Sequence, residues 1–95
     1  MPEMQFDIVW PDGTPERCYS PSLVIKDFFV LGKSYALEQF LHLSRAALTE
    51  ASDRVEKKYG MPCARALAQL SRIEAGCARF SGDVAARVLV TRFHE

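Results

Sequence analysis

The sequence predicts an α+β domain in the order β-β-α-α-α-β, with a three-stranded, mainly antiparallel sheet and a long antiparallel helical hairpin on one face. Three observations predict it. Residues Glu3 to Trp10 alternate polar and apolar, the period of a half-buried strand. Trp10-Pro11-Asp12-Gly13 then writes a tight turn, because proline pre-sets the first corner and glycine takes the left-handed position that closes a three-residue hairpin loop. Finally, a long helical period interrupted by Gly60 and Pro62 reads as two helices joined by a very short connection.

In the first strand Met4, Phe6, Ile8 and Trp10 share the core face, with Glu3, Gln5 and Asp7 opposite. The chain returns as a second strand over Glu16 to Ser20, and pairing of Trp10 with Thr14 sets Cys18 against Phe6. Pro15 has no N–H for a ladder, so this strand belongs at the sheet edge and the first strand in the middle. Ser20-Pro21-Ser22 has the form of a helix start, since serine caps free N–H groups and proline suits the first helical position. A short helix is therefore expected from Pro21 to about Val30, ended by Gly32.

Ser34 is the expected N-cap of the longest helix, which runs to Tyr59. Its apolar stripe is Leu37, Phe40, Leu41, Leu48, Ala51, Val55 and Tyr59. Glu50 with Arg54 and Asp53 with Lys57 stand four apart on its outer face, where such pairs contribute a few tenths of a kcal/mol each. The third helix presents Cys63, Ala66, Leu67, Leu70, Ile73, Cys77 and Phe80 inward. Ser81-Gly82-Asp83 breaks it. Val84 to Phe93 alternates and is rich in valine, a last strand placed beside the first, with its direction left open.

At 95 residues the chain is a single domain, residues 1–95, that buries roughly 60 to 65% of its unfolded surface. Twelve Lys and Arg balance twelve Asp and Glu, so no net field draws it to nucleic acid or to an anionic membrane. The first residues resemble no signal peptide, and the longest apolar run, Leu23 to Leu31, is broken by Lys26 and Asp27. A cytoplasmic location is expected.

No motif of high chemical specificity is present. Phosphate-cradling glycine loops and a Gly-x-Ser-x-Gly elbow are absent, so no cofactor is implied. Cys18, Cys63 and Cys77 are widely spaced with no CxxC, which points to reduced thiols rather than a disulfide framework or zinc site. His42 and His94 match no metal spacing. His42 reads as a partner for Glu38 one turn earlier, and His94 as a penultimate residue at a fraying end.

Arg65, Arg72 and Arg79 recur every seven residues, and Glu50, Asp53, Glu56 and Glu74 are expected to neutralise them. Trp10 reads as a core indole, with an interaction anchor as the alternative. The candidate site is the junction Cys18, Tyr19, Ser20 and Ser22, where an unpaired strand edge, a helix N-terminus and a thiol converge. The simpler reading gives Ser20 a capping role and Cys18 a place in the core.

Several short segments together resemble a small bacterial family named for the nitrogen starvation response. They are Met1-Pro2-Glu3-Met4, Trp10-Pro11-Asp12-Gly13, Cys18-Tyr19-Ser20-Pro21-Ser22, Ala46 to Val55, Lys58-Tyr59-Gly60, Gln69-Leu70 and Ile73-Glu74-Ala75. Genes of that family accompany a nitrilase, a radical SAM protein and an acetyltransferase-like protein. The resemblance implies an accessory or binding protein of nitrogen assimilation, whose partners are other proteins of the nitrilase cluster. It carries over no catalytic residue. The alternative function is a small enzyme or thiol carrier using Cys18. A homodimer is also expected, because a helix of about 25 residues, ~37 Å long, outreaches a small sheet and leaves Phe40, Leu41 and Leu48 wet.

Overall fold

Alternation along Met4–Val9 produces β1, and the turn behind it sends the chain back as β2, Pro15–Ser20, in the computed structural model, which describes residues 3–95. Met1 and Pro2 of the family-like opening segment lie outside the described residues. Trp10 N–H donates to Thr14 O at 2.9 Å and Gly13, at φ +86°, closes the loop by donating to Trp10 O. Phe6 stands opposite Cys18 and Val9 opposite Pro15, the predicted register, and β2 is an edge strand.

The remaining elements are α1 (Ile25–Phe28), β3 (Ser34–Ala36), α2 (Leu37–Tyr59), α3 (Ala64–Ala78) and β4 (Arg87–His94). The sheet therefore has four strands rather than three, in the order β2-β1-β4-β3, and every neighbouring pair is antiparallel. The added strand corrects the role given to Ser34. Instead of capping a helix, Ser34-Tyr35-Ala36 pairs with Leu89, Val88 and Arg87. Tyr35 is buried and its hydroxyl accepts the Val30 N–H at 2.8 Å, so an aromatic ring that would be wet on a helix surface fills the core. The long helix starts at Leu37 with no side-chain cap; its first N–H donates to Ala86 O of the loop before β4.

The helix expected over Pro21–Val30 shrinks to the single turn α1. Ser20 does not cap it. Ser20 Oγ donates to Ser22 O at 2.7 Å and accepts the Ser22 N–H, while Ser22 Oγ accepts the Val24 N–H, local bonds that compete with helix formation. Phe29 is already extended, and buried placement of its ring against Phe6, Tyr35 and Phe40 takes the segment out of the helix.

Helix α2 ends at Gly60, whose φ of +80° lets its N–H donate to Glu56 O at 2.7 Å, as the left-handed stop requires. Ser52 Oγ accepts the Cys63 N–H, and Arg45 reaches Glu74 further along, so the two helices are linked at two levels. Glu50 and Arg54 pair at 3.3 Å; no Asp53–Lys57 pair forms among the described residues. Helix α3 begins at Ala64, with Cys63 half-buried at its N-cap. Leu67 and Tyr59, expected on the inner stripes, are exposed. Of the three side chains expected to stay wet on an isolated chain, Phe40 and Leu48 are fully buried and Leu41 is partly buried.

The last strand departs from strict alternation. Between Asp7 and Ile8 the register slips, leaving Thr91 as an extra residue on β4. Val88 and Val90 face the core; after the bulge Phe93, opposite Phe6, turns inward, and Arg92 is exposed. Unbroken alternation would have driven Arg92 into the core. Val84 lies outside the strand and is fully exposed.

Trp10 is a core indole. It meets Phe40 edge-on at 5.9 Å, stacks on Phe80 at 6.2 Å, and donates Nε1–H to Glu16 Oε1 at 2.9 Å. Its ring lies against Gly76 of α3, where an added Cβ would come within 2.5 Å of Trp10 Cη2 and Cζ2. Alanine at position 76 should gain about 1 kcal/mol of helix propensity and lose more to overpacking of about 1–3 kcal/mol. Gly76→Ala is therefore expected to lower the denaturation midpoint; an unchanged or raised midpoint would show that the indole shifts freely.

Candidate functional site

The junction foreseen at Cys18 to Ser22 has a different physical character once folded. Cys18 is 1% exposed on the core face, and burial raises its thiol pKa well above the ordinary value, with Glu16 adding to the effect. Ser20 and Ser22 are buried and bonded to local backbone. No long helix starts here, because α1 is one turn beginning at Ile25. Tyr19 alone is partly open; the Arg65 guanidinium covers its ring at 3.8 Å.

The strand edge beside these residues is partly covered. Pro15 has no N–H, and the Tyr19 N–H donates to Oε1 of the buried Gln69 at 2.9 Å. Arg72 donates to the same oxygen. Arg65 reaches Glu3 and Arg79 reaches Asp12. The arginine row of α3 thus ties that helix to the β1–β2 hairpin, and its partners are Glu3, Gln69 and Asp12 rather than the acids expected from sequence. Gln69, outside the apolar stripe read for the third helix, is instead fully buried; its contact with β2 is what draws it inward.

Two other places collect chemistry. On the outer face of the sheet, Arg17 Nε donates to Asp7 Oδ1 at 2.9 Å, and His94 Nε2 lies 2.8 Å from Asp7 Oδ2. His94 is the last residue of β4. The Asp7 carboxyl is held down at about 2, chiefly by the Arg17 hydrogen bond, against a smaller opposing effect of desolvation and with further help from His94. No serine, threonine or cysteine side chain bonds His94 among the described residues. His42 is exposed and makes no bond to Glu38 among the described residues, and no group of three metal-ligating side chains forms there either.

A concavity lies between the first half of α2, the second half of α3 and the loop leading to β4. It encloses about 640 Å³, within the range of small-molecule sites. Leu37, Leu41, Cys77, Ala78 and Ala86 supply an apolar lining, and Glu38, Arg45, Glu74 and Asp83 supply its charge. Arg45 spends two N–H groups on Glu74 Oε2, at 3.0 and 3.1 Å. Sequence reading did not assemble this groove, because its walls come from segments about forty residues apart. We treat it as the candidate site.

Two expectations follow from these environments. The Cys77 thiol is pushed up to about 11 by burial, and Cys18 higher still in direction, so mild alkylation at pH 8 should modify the half-buried Cys63 first. Intact mass with peptide mapping reads this; rapid selective labelling of Cys18 would contradict the buried placement. For Asp7 the folded-state pKa is depressed, so its stabilising contribution is complete above the unfolded value of about 3.8 and fades as pH falls toward about 2. Asp7→Asn should lose stability relative to wild type above pH 4, and that difference should shrink between pH 4 and 2. A difference constant across that window would show that the Asp7 cluster contributes no pH-dependent stability.

No helix among the described residues is long and apolar enough to cross a membrane. No curated protein and no solved structure matches the chain. The profile of the family described as nitrogen starvation-induced protein NitG matches residues 5–93, a span that runs from Gln5 in β1 to Phe93 in β4 and includes every wall of the groove. The chain belongs to this family of nitrogen starvation-induced proteins.

Proposed function

We propose that this chain is a binding accessory protein of the nitrogen starvation response, with the groove between α2 and α3 as its binding site. The observation that carries this reading is the groove's composition: apolar walls for contact area, and a few charged groups at fixed places for orientation. Membership of the nitrogen starvation-induced family supports the physiological setting. Work alongside proteins of a nitrilase gene cluster in nitrogen assimilation, a cytoplasmic location and a homodimeric state belong to the same proposal. Thiol chemistry at Cys18 is less well supported, because burial disfavours the thiolate that such chemistry requires.

The test is growth under nitrogen limitation of cells dependent on the protein. Ala78 is exposed and lines the groove, so Ala78→Trp should fill it while the melting temperature stays near wild type. Growth is expected to fail with Ala78→Trp and to persist with Cys18→Ala at temperatures where that variant stays folded. Normal growth with the groove filled would overturn the assignment.

A further inference from the structure

Resting on the reading of the groove as a binding site, we infer that its ligand is a small organic cation: an apolar body bearing an ammonium group. The groove contains three carboxylates, Glu38, Glu74 and Asp83, and one cation, Arg45. Arg45 is already committed to Glu74 through both Nε and Nη2, so that pair contributes little net field. Glu38 and Asp83 join no ion pair among the described residues; Asp83 Oδ1 accepts the Ala85 N–H at 3.0 Å, which leaves its negative charge without a cationic partner. The concavity therefore carries a net negative charge beside an apolar wall.

Each part of the ligand has a counterpart. Leu37, Leu41, Ala78 and Ala86 offer hydrocarbon to the body. Val84, on the same lining, is as exposed as in an unfolded chain, at 102%, so an occupant would also cover this side chain. An anion would face two carboxylates that have no cationic partner among the described residues and would find the one cation of the lining engaged. A neutral molecule would gain the apolar contact alone, so charge selects among ligands of one shape.

A matched trio of probes tests this: 4-phenylbutylammonium, 4-phenylbutanol and 4-phenylbutanoate, each titrated into the full chain and followed by amide chemical shifts. The ammonium compound is expected to move signals of Leu41, Ala78 and Val84 and to bind about five- to tenfold more tightly than the alcohol, an advantage that salt erases. The carboxylate should bind most weakly. In the double variant Glu38→Gln with Asp83→Asn, both surface changes, the ammonium compound should fall to the level of the alcohol. Equal affinity for ammonium and alcohol, or preference for the carboxylate, would overturn the cation inference while leaving the groove as a binding site. Failure of all three probes to shift the groove residues would overturn the groove reading itself, and this inference with it.

Discussion

The indole of Trp10 is the contact on which the packing of this chain depends, because it joins elements that otherwise have little reason to hold one arrangement. It sits at the end of β1, stacks on Phe80, meets Phe40 of α2 edge-on and rests against Gly76 of α3. A glycine inside a helix costs about 1 kcal/mol relative to alanine, and here the missing Cβ is the space the ring occupies. Glu16 takes the Nε1 hydrogen, so the ring's one polar atom is satisfied. A second aromatic group, Phe29 with Phe6, Tyr35 and Phe40, fixes the other end of the core. Between them these rings set how close α2 and α3 lie to the sheet.

That seating determines which surfaces remain available. Helix α3 lies close enough to β2 for Gln69 to bind the Tyr19 N–H, and with Pro15 this blunts the edge that would otherwise invite a partner strand. The opposite edge is β3, only three residues long, where Arg87 donates to both the Ser34 hydroxyl and the Ser34 carbonyl. With both edges partly covered, the groove between the helices is where an apolar surface meets carboxylates that have no cationic partner among the described residues. Its depth follows from the fourth strand: β3 displaces the start of α2 to Leu37 and brings Leu37 and Leu41 beside Ala86.

The bulge at Thr91 serves both faces of the sheet at once. By changing the phase of β4 it keeps Arg92 out of the core and turns Phe93 toward it. The same change puts His94 on the outer face within reach of Asp7. Thr91 Oγ1 donates to Asp7 O and helps fill the irregular ladder. An exposed pair such as Arg17–Asp7 contributes little by itself, but the three groups fix the end of the chain against β1.

Local rules were sufficient wherever a residue's conformation is decided by its near neighbours. The Trp10–Gly13 turn, the Phe6–Cys18 register, the edge position forced by Pro15 and the stop at Gly60 all arise from ring constraint, left-handed freedom or two-residue alternation, which a sequence displays directly. The family resemblance was legible for the same reason, being carried by short local segments. The fourth strand, the shrinkage of the first helix and the bulge in β4 were decided by tertiary structure, because burial of Tyr35 and Phe29 and partial burial of Phe93 outweigh the local preference for helix or for strict alternation. The fate of Cys18 and the existence of the groove were decided there too. A thiol's reactivity depends on the solvent it loses on folding, and a concavity depends on surfaces brought together from distant parts of the chain, neither of which is encoded in residue spacing.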